Sequence, residues 1–114
     1  MRIEKYSFGK MVVDGKIYTK DLKLFPDMVK PEWWRKEGHL LQLDDIKDII
    51  QFKPEILVVG KGAFGFMKVS PEVEEKLKDL GIELIAEKTG KAAEIFNRFS
   101  AEKKRVCGAF HLTC

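Results

Sequence analysis

Apolar and polar side chains alternate through the first quarter of the chain. Residues 2–8 alternate as a strand, with Tyr6 and Phe8 expected on one face. In VVDGKIY, Asp14-Gly15 marks a two-residue hairpin turn, because both turn positions need positive φ. Strands are therefore expected near 11–14 and 16–25, closed at Phe25-Pro26. Residues 26–39 hold two prolines and no period, and read as a loop. The pattern then turns helical: Ile46, Ile49, Ile50 and Phe52 share a face, Asp44 or Asp45 is placed to cap it, and Pro54 stops it.

Ile56–Val59 is an unbroken apolar run, as expected of a strand buried on both faces. Ser70-Pro71 opens the next helix, with Ser as N-cap and Pro at the first helical position. Val73, Leu77 and Leu80 form its stripe, and Gly81 is the expected C′ glycine. Ile82–Ala86 is another apolar strand. Thr89 is placed to cap a further helix with Ala92, Phe96 and Phe99 on one face, and Val106–Leu112 is the last strand. A β-α-β order implies parallel pairing with a right-handed crossover. The expected fold class is α/β: one three-layer domain over residues 1–114, with a mixed central sheet, a C-terminal β-α-β-α-β unit, an N-terminal β-hairpin layer and about three helices. No internal repeat or linker is visible.

Gly60-Lys61-Gly62-Ala63-Phe64-Gly65 is a literal G-x-G-x-x-G after an apolar run. A dinucleotide site needs the helix to open at the glycines, so that its first N–H groups hold the pyrophosphate. Here Phe66-Met67-Lys68-Val69 intervenes before Ser70, and only one β-α-β unit carries the loop. No dinucleotide or other cofactor is expected on these grounds. Two readings stay open for the loop: a tight turn at a strand end, or a site for a small anion built from Gly60, Lys61, Gly62, Ala63, Phe64 and the Thr89 helix start, with charge from Lys61 and Lys68.

Composition narrows the classes. Lys+Arg 21 against Asp+Glu 18 gives a net charge of only +3, with both signs mixed along the chain, so nucleic acid is not an expected partner. No apolar run approaches the roughly 20 residues of a membrane span, and MRIEKYSFGK lacks a signal-peptide core. A soluble, cytoplasmic protein is expected. Cys107 and Cys114 lie too far apart along an extended segment to pair, which fits a reducing compartment. Lys and Glu are abundant while Gln and Asn are scarce, a thermophile-like composition.

The candidate chemistry is sparse. Cys107 and His111 share a strand face but sit about 13 Å apart, beyond the reach of a nucleophile–base pair. Two Cys and two His without paired spacing predict no metal site. Asn97 reads either as part of a ligand site near the last strand or as a group that satisfies backbone at a helix end. Glu87 and Glu94 read as solvated charges. The most unusual composition is Trp33-Trp34-Arg35 with His39, which reads as buried rings, as a pocket wall or as a partner-binding surface.

The segments Gly60–Gly62, Ser70-Pro71-Glu72-Val73, Gly81-Ile82, Thr89, Ala93, Asn97, Val106 and His111–Cys114, with WWRKEGH at 33–39, together resemble a small family of single-domain proteins. That family includes archaeal and bacterial proteins of unknown role, a mitochondrial assembly factor for respiratory complex I, and an adipogenesis-associated domain protein. The resemblance implies a three-layer fold with a mixed sheet, no established enzyme activity, and roles in assembly and protein interaction. Many relatives have Glu-Gly-Arg where this chain has Glu102-Lys103-Lys104. If that turn needs positive φ, Lys103 is an awkward occupant. The leading functional expectation is a non-enzymatic interaction or assembly protein. The alternative is a small-molecule or anion-binding domain, with or without catalysis, at the Gly60–Gly65 loop and the Thr89 helix start.

Overall fold

Strands β1 (Ile3–Ser7), β2 (Lys10–Val13) and β3 (Lys16–Tyr18) form an antiparallel meander in the computed structural model, which describes residues 1–114. Asp14 (φ 48°) and Gly15 (φ 82°) make the expected β2–β3 turn. Phe8 lies beyond β1 in the next turn, mostly exposed, so it does not share a strand face with Tyr6. The strand expected over 16–25 is two strands in different sheets. β3 ends at Tyr18, and the chain crosses to β4 (Leu22–Phe25) in the central sheet. Residues 26–39 are not all loop either: β5 (Met28–Lys30) pairs with β4 across Pro26-Asp27, and Phe25 faces Met28. Proline ends a strand, but it also starts a tight turn, and here the turn wins.

The central sheet runs β5-β4-β10-β7-β9. β7 (Ile56–Lys61), β9 (Glu83–Glu87) and β10 (Val106–His111) are parallel, and β4 joins β10 antiparallel. A small parallel pair, β6 (Leu40–Leu41) with β8 (Lys68–Val69), sits beside it. The expected α/β fold with a mixed sheet, an N-terminal antiparallel layer and three helices is the one observed. A 3₁₀ turn over Leu43–Ile46 leads into α1 (Lys47–Phe52). Its N-cap is Gln42, whose N–H donates to the Asp45 carboxylate at 2.8 Å, so Asp45 acts from inside the first turn. α2 (Pro71–Asp79) has Ser70 as N-cap, accepting from the Val73 N–H at 3.3 Å, and Gly81 follows at φ 72°. α3 spans Thr89–Ala101.

Alternation on β7 and β10 divides the core into two layers. Val58, Val106 and Phe110 face α3 and the N-terminal sheet, where they meet Ile3, Met11, Val13, Leu22, Leu24 and Phe96. Leu57, Val59, Cys107 and Ala109 face α1 and α2, where they meet Ile46, Ile49, Val73 and Leu77. β7 is buried on both faces, as a central parallel strand should be.

Lys103 adopts φ 61° in the turn after α3. An L-residue there carries roughly 1–2 kcal/mol of steric cost, partly offset by the freedom glycine would lose. Lys103→Gly is expected to stabilise the fold by about 0.5–1 kcal/mol, read as a higher midpoint in chemical denaturation.

Candidate functional site

Asp21, Arg35 and His111 come from three distant stretches and meet at one end of the sheet. Asp21 lies in the crossing from β3 to β4, Arg35 in the 33–39 loop and His111 at the C-terminal end of β10. The Asp21 carboxylate accepts from the Leu112 N–H (2.8 Å) and from His111 Nδ1 (2.8 Å), and it pairs with Arg35 Nη2 (2.9 Å). Arg35 Nη2 also donates to the Gly38 carbonyl at 2.8 Å, and the guanidinium stacks 4.7 Å from the Trp33 ring centre. The side chains of Arg35 and His111 are 4% and 8% exposed.

The hydrogen count assigns the imidazole tautomer. Arg35 Nη2 has two hydrogens, and Gly38 and Asp21 take both. The Nη2 to Nδ1 approach at 3.1 Å therefore carries no hydrogen bond, and Nδ1–H donates to Asp21. In the neutral ring Nε2 is then a bare acceptor. His111 Nε2 and Arg35 Nη1 are both buried and have no partner in the protein. Burial would raise the Asp21 carboxyl, but the hydrogen bonds from His111 and Leu112, with the positive charge of Arg35, outweigh it and hold the group below its ordinary value. Asp21, Arg35 and His111 line a cavity of about 320 Å³ with Trp33, Trp34, Lys20 and Thr113.

The glycine loop lies close by and is closed upon the protein itself. The Gly62 N–H donates to Thr89 Oγ1 (2.8 Å), Thr89 N–H to the Gly62 carbonyl (3.1 Å) and Ala63 N–H to the Thr113 carbonyl (2.7 Å). Gly62 and Thr89 are thus brought together, each occupying the other's polar groups. Thr89 is not a helix cap: Lys88 holds that position, and the Thr89 hydroxyl donates to the His111 carbonyl at 2.6 Å. A Cβ on Gly60 would fall 2.7 Å from Phe110 Cδ1, so that glycine serves close packing.

The paired tryptophans divide their roles. Trp33 is buried and its indole N–H donates to the Asp45 carbonyl at 2.9 Å, whereas Trp34 is 77% exposed. His39 packs edge-on to His111, 5.7 Å between ring centres, and to Phe66 at 6.4 Å. Phe66 touches Phe64, which touches Phe8, and all three are more than half exposed. Asn97 grips the backbone of Ile3 from both sides, accepting its N–H (2.8 Å) and donating to its carbonyl (2.7 Å), which fastens β1 to α3. Burial pushes the Cys107 thiol up to about 12, leaving it inert packing. Sequence reasoning named Arg35 but missed Asp21, and met His111 as a partner for Cys107 and as part of the family resemblance, not as a site residue. The spacing of 90 residues between Asp21 and His111 carries no local signal.

A family described as "Protein of unknown function (DUF498/DUF598)" matches residues 3–111. Among solved structures, a conserved hypothetical protein from Pyrococcus horikoshii OT3 is similar over 100% of both chains, at 25% identity and a TM-score of 0.84. A protein from Bartonella henselae described as an outer membrane protein matches over 98% of this chain and 94% of its own, at 19% identity and a TM-score of 0.82. A Mth938-like domain from Bordetella pertussis matches over 97% and 85%, at 20% identity and a TM-score of 0.70.

Proposed function

Because this chain belongs to the DUF498/DUF598 family of proteins of unknown function, we propose its role from its own surface: a non-enzymatic protein-interaction or assembly factor. The observation that carries this reading is the contact chain Phe8–Phe64–Phe66, with each ring 58% exposed. Contiguous exposed aromatic area is costly in water and marks docking surfaces. Aromatic residues in such patches supply most of the energy of a protein interface. Lys68 and Lys88 are exposed beside the same loop, which favours a partner with an acidic rim around an apolar anchor. The resemblance to the complex I assembly factor points the same way. A cytoplasmic setting goes with this reading and with the two free cysteines. No helix is long and apolar enough to cross a membrane.

An anion at the Gly60–Gly65 loop and the start of α3 is the weaker reading, because Gly62, Ala63 and Thr89 direct their N–H groups at the protein itself. The test of the interaction reading is affinity capture from the native cell with the wild-type chain and with a Phe64→Ser/Phe66→Ser chain. A partner held in stoichiometric amount by the wild type should bind the variant about 30-fold more weakly, the loss of roughly 2 kcal/mol typical of a hot spot. A partner retained equally by both chains, or no reproducible partner, overturns it.

A further inference from the structure

The cavity beside Asp21 is divided from the aromatic surface by His39, which packs on both His111 and Phe66, and it asks for a different occupant. Two of its lining side chains hold polar atoms that the protein leaves unsatisfied: Arg35 Nη1, a cationic donor, and His111 Nε2, a lone-pair acceptor in the tautomer that Asp21 fixes. A buried polar atom without a partner costs about 1–3 kcal/mol, more when charged, and native proteins rarely carry two in one place without a use for them. Their needs are complementary. Arg35 Nη1 wants a carboxylate oxygen, and His111 Nε2 wants a hydrogen.

We infer that this cavity binds a small hydroxy-carboxylic acid, its carboxylate on Arg35 Nη1 and its hydroxyl donating to His111 Nε2. The charges fit a monoanion. Asp21 and Arg35 cancel, and Lys20 on the cavity wall leaves one positive charge over when His111 is neutral. The size fits too, since about 320 Å³ is at the small end of ligand cavities. Trp34, largely exposed on the same wall, supplies an apolar cover. The place in the fold is also suited. His111 ends β10, which pairs parallel with β7 on one side and antiparallel with β4 on the other. Crevices at the carboxyl ends of strands, where the sheet changes direction, are where open α/β sheets take ligands.

The experiment is a titration of the ¹⁵N-labelled protein with glycolate, lactate and mandelate, following the His111 ring nitrogens and the Trp34 indole N–H. Acetate and ethylene glycol serve as comparators that lack one of the two groups. The expected result is a saturable shift at His111 Nε2 and Trp34 with at least one hydroxy acid, and binding about tenfold weaker for each comparator. Arg35→Gln should abolish the response. Because that substitution also removes a buried ion pair, Trp34→Ala and Lys20→Ala, both at exposed positions, are measured beside it and should weaken binding several-fold in a folded protein. No saturable shift with any hydroxy acid, acetate binding as tightly as glycolate, or hydroxy-acid binding unchanged in Trp34→Ala and Lys20→Ala would each overturn the proposal.

Discussion

Asp21→Ala is expected to lower the free energy of unfolding by about 3–5 kcal/mol, the usual loss when one member of a buried charge pair is removed. The carboxylate is the hub of its cluster. Without it Arg35 keeps a buried charge with only the Gly38 carbonyl to answer it, and the His111 Nδ1–H and the Leu112 N–H lose their acceptor. The pH dependence separates the charge from the packing. Asp21 is held below the ordinary aspartate value of 3.8 in the folded protein. A depressed carboxylate contributes its stability in full above the unfolded value and loses it as pH falls through the folded one. Wild type and Asp21→Ala should therefore differ by a constant amount near neutral pH, and the gap should narrow in increasingly acid solution below about pH 4. Asp48, held down in the same direction by Lys23 and Lys30 against its own burial, keeps some acid sensitivity in the variant. Urea denaturation at a series of pH values measures both effects. A gap that stays constant into strong acid would mean that the carboxylate's charge contributes nothing.

Gly62→Ala is the second large effect. Gly62 sits at φ 100°, outside the range of L-residues, and a Cβ there would lie 2.7 Å from the carbonyl oxygens of both Thr113 and Cys114. Backbone strain of roughly 1–2 kcal/mol adds to overpacking against rigid main chain of roughly 1–3 kcal/mol. The expected sum is about 3 kcal/mol, or roughly 12 °C in Tm for a domain of this size. Gly15→Ala is the matched control. Its φ is 82° but nothing lies within 4 Å of its Cβ, so only the backbone component applies. Equal losses at the two positions in thermal unfolding would show that the Thr113–Cys114 backbone yields at no cost.

The elements that could be read from sequence are those specified by neighbouring residues. Asp14-Gly15 demanded its turn, Ser70-Pro71 its helix start and Gly81 its helix end, and each is local chemistry. The errors lie where a distant partner decides. Pro26-Asp27 reads as a stop until β4 is placed in the central sheet, where the same dipeptide becomes a hairpin turn. Trp33 and Trp34 are indistinguishable in sequence, and only the Asp45 carbonyl and the Arg35 guanidinium give Trp33 its buried place. Thr89 looked like a cap because it precedes a helix, but its hydroxyl is drawn to the His111 carbonyl. The Asp21–Arg35–His111 site was least legible. Asp21 stands in TKDLKLF between Lys20 and Lys23, where it reads as one more solvated charge, and no partner within reach along the chain sets it apart.

The position of β10 in the middle of the sheet has a consequence for the newborn chain. It is the last of the ten strands in chain order, yet it joins the antiparallel β4–β5 pair to the parallel β7–β9 pair. Until it arrives, β4 and β7 each present an open edge to solvent, with Leu22, Leu24 and Val58 uncovered. Vectorial synthesis therefore cannot complete this domain piece by piece. The interval between translation of β7 and docking of β10 is the protein's period of greatest exposure to aggregation, and a holding chaperone would have its largest effect there.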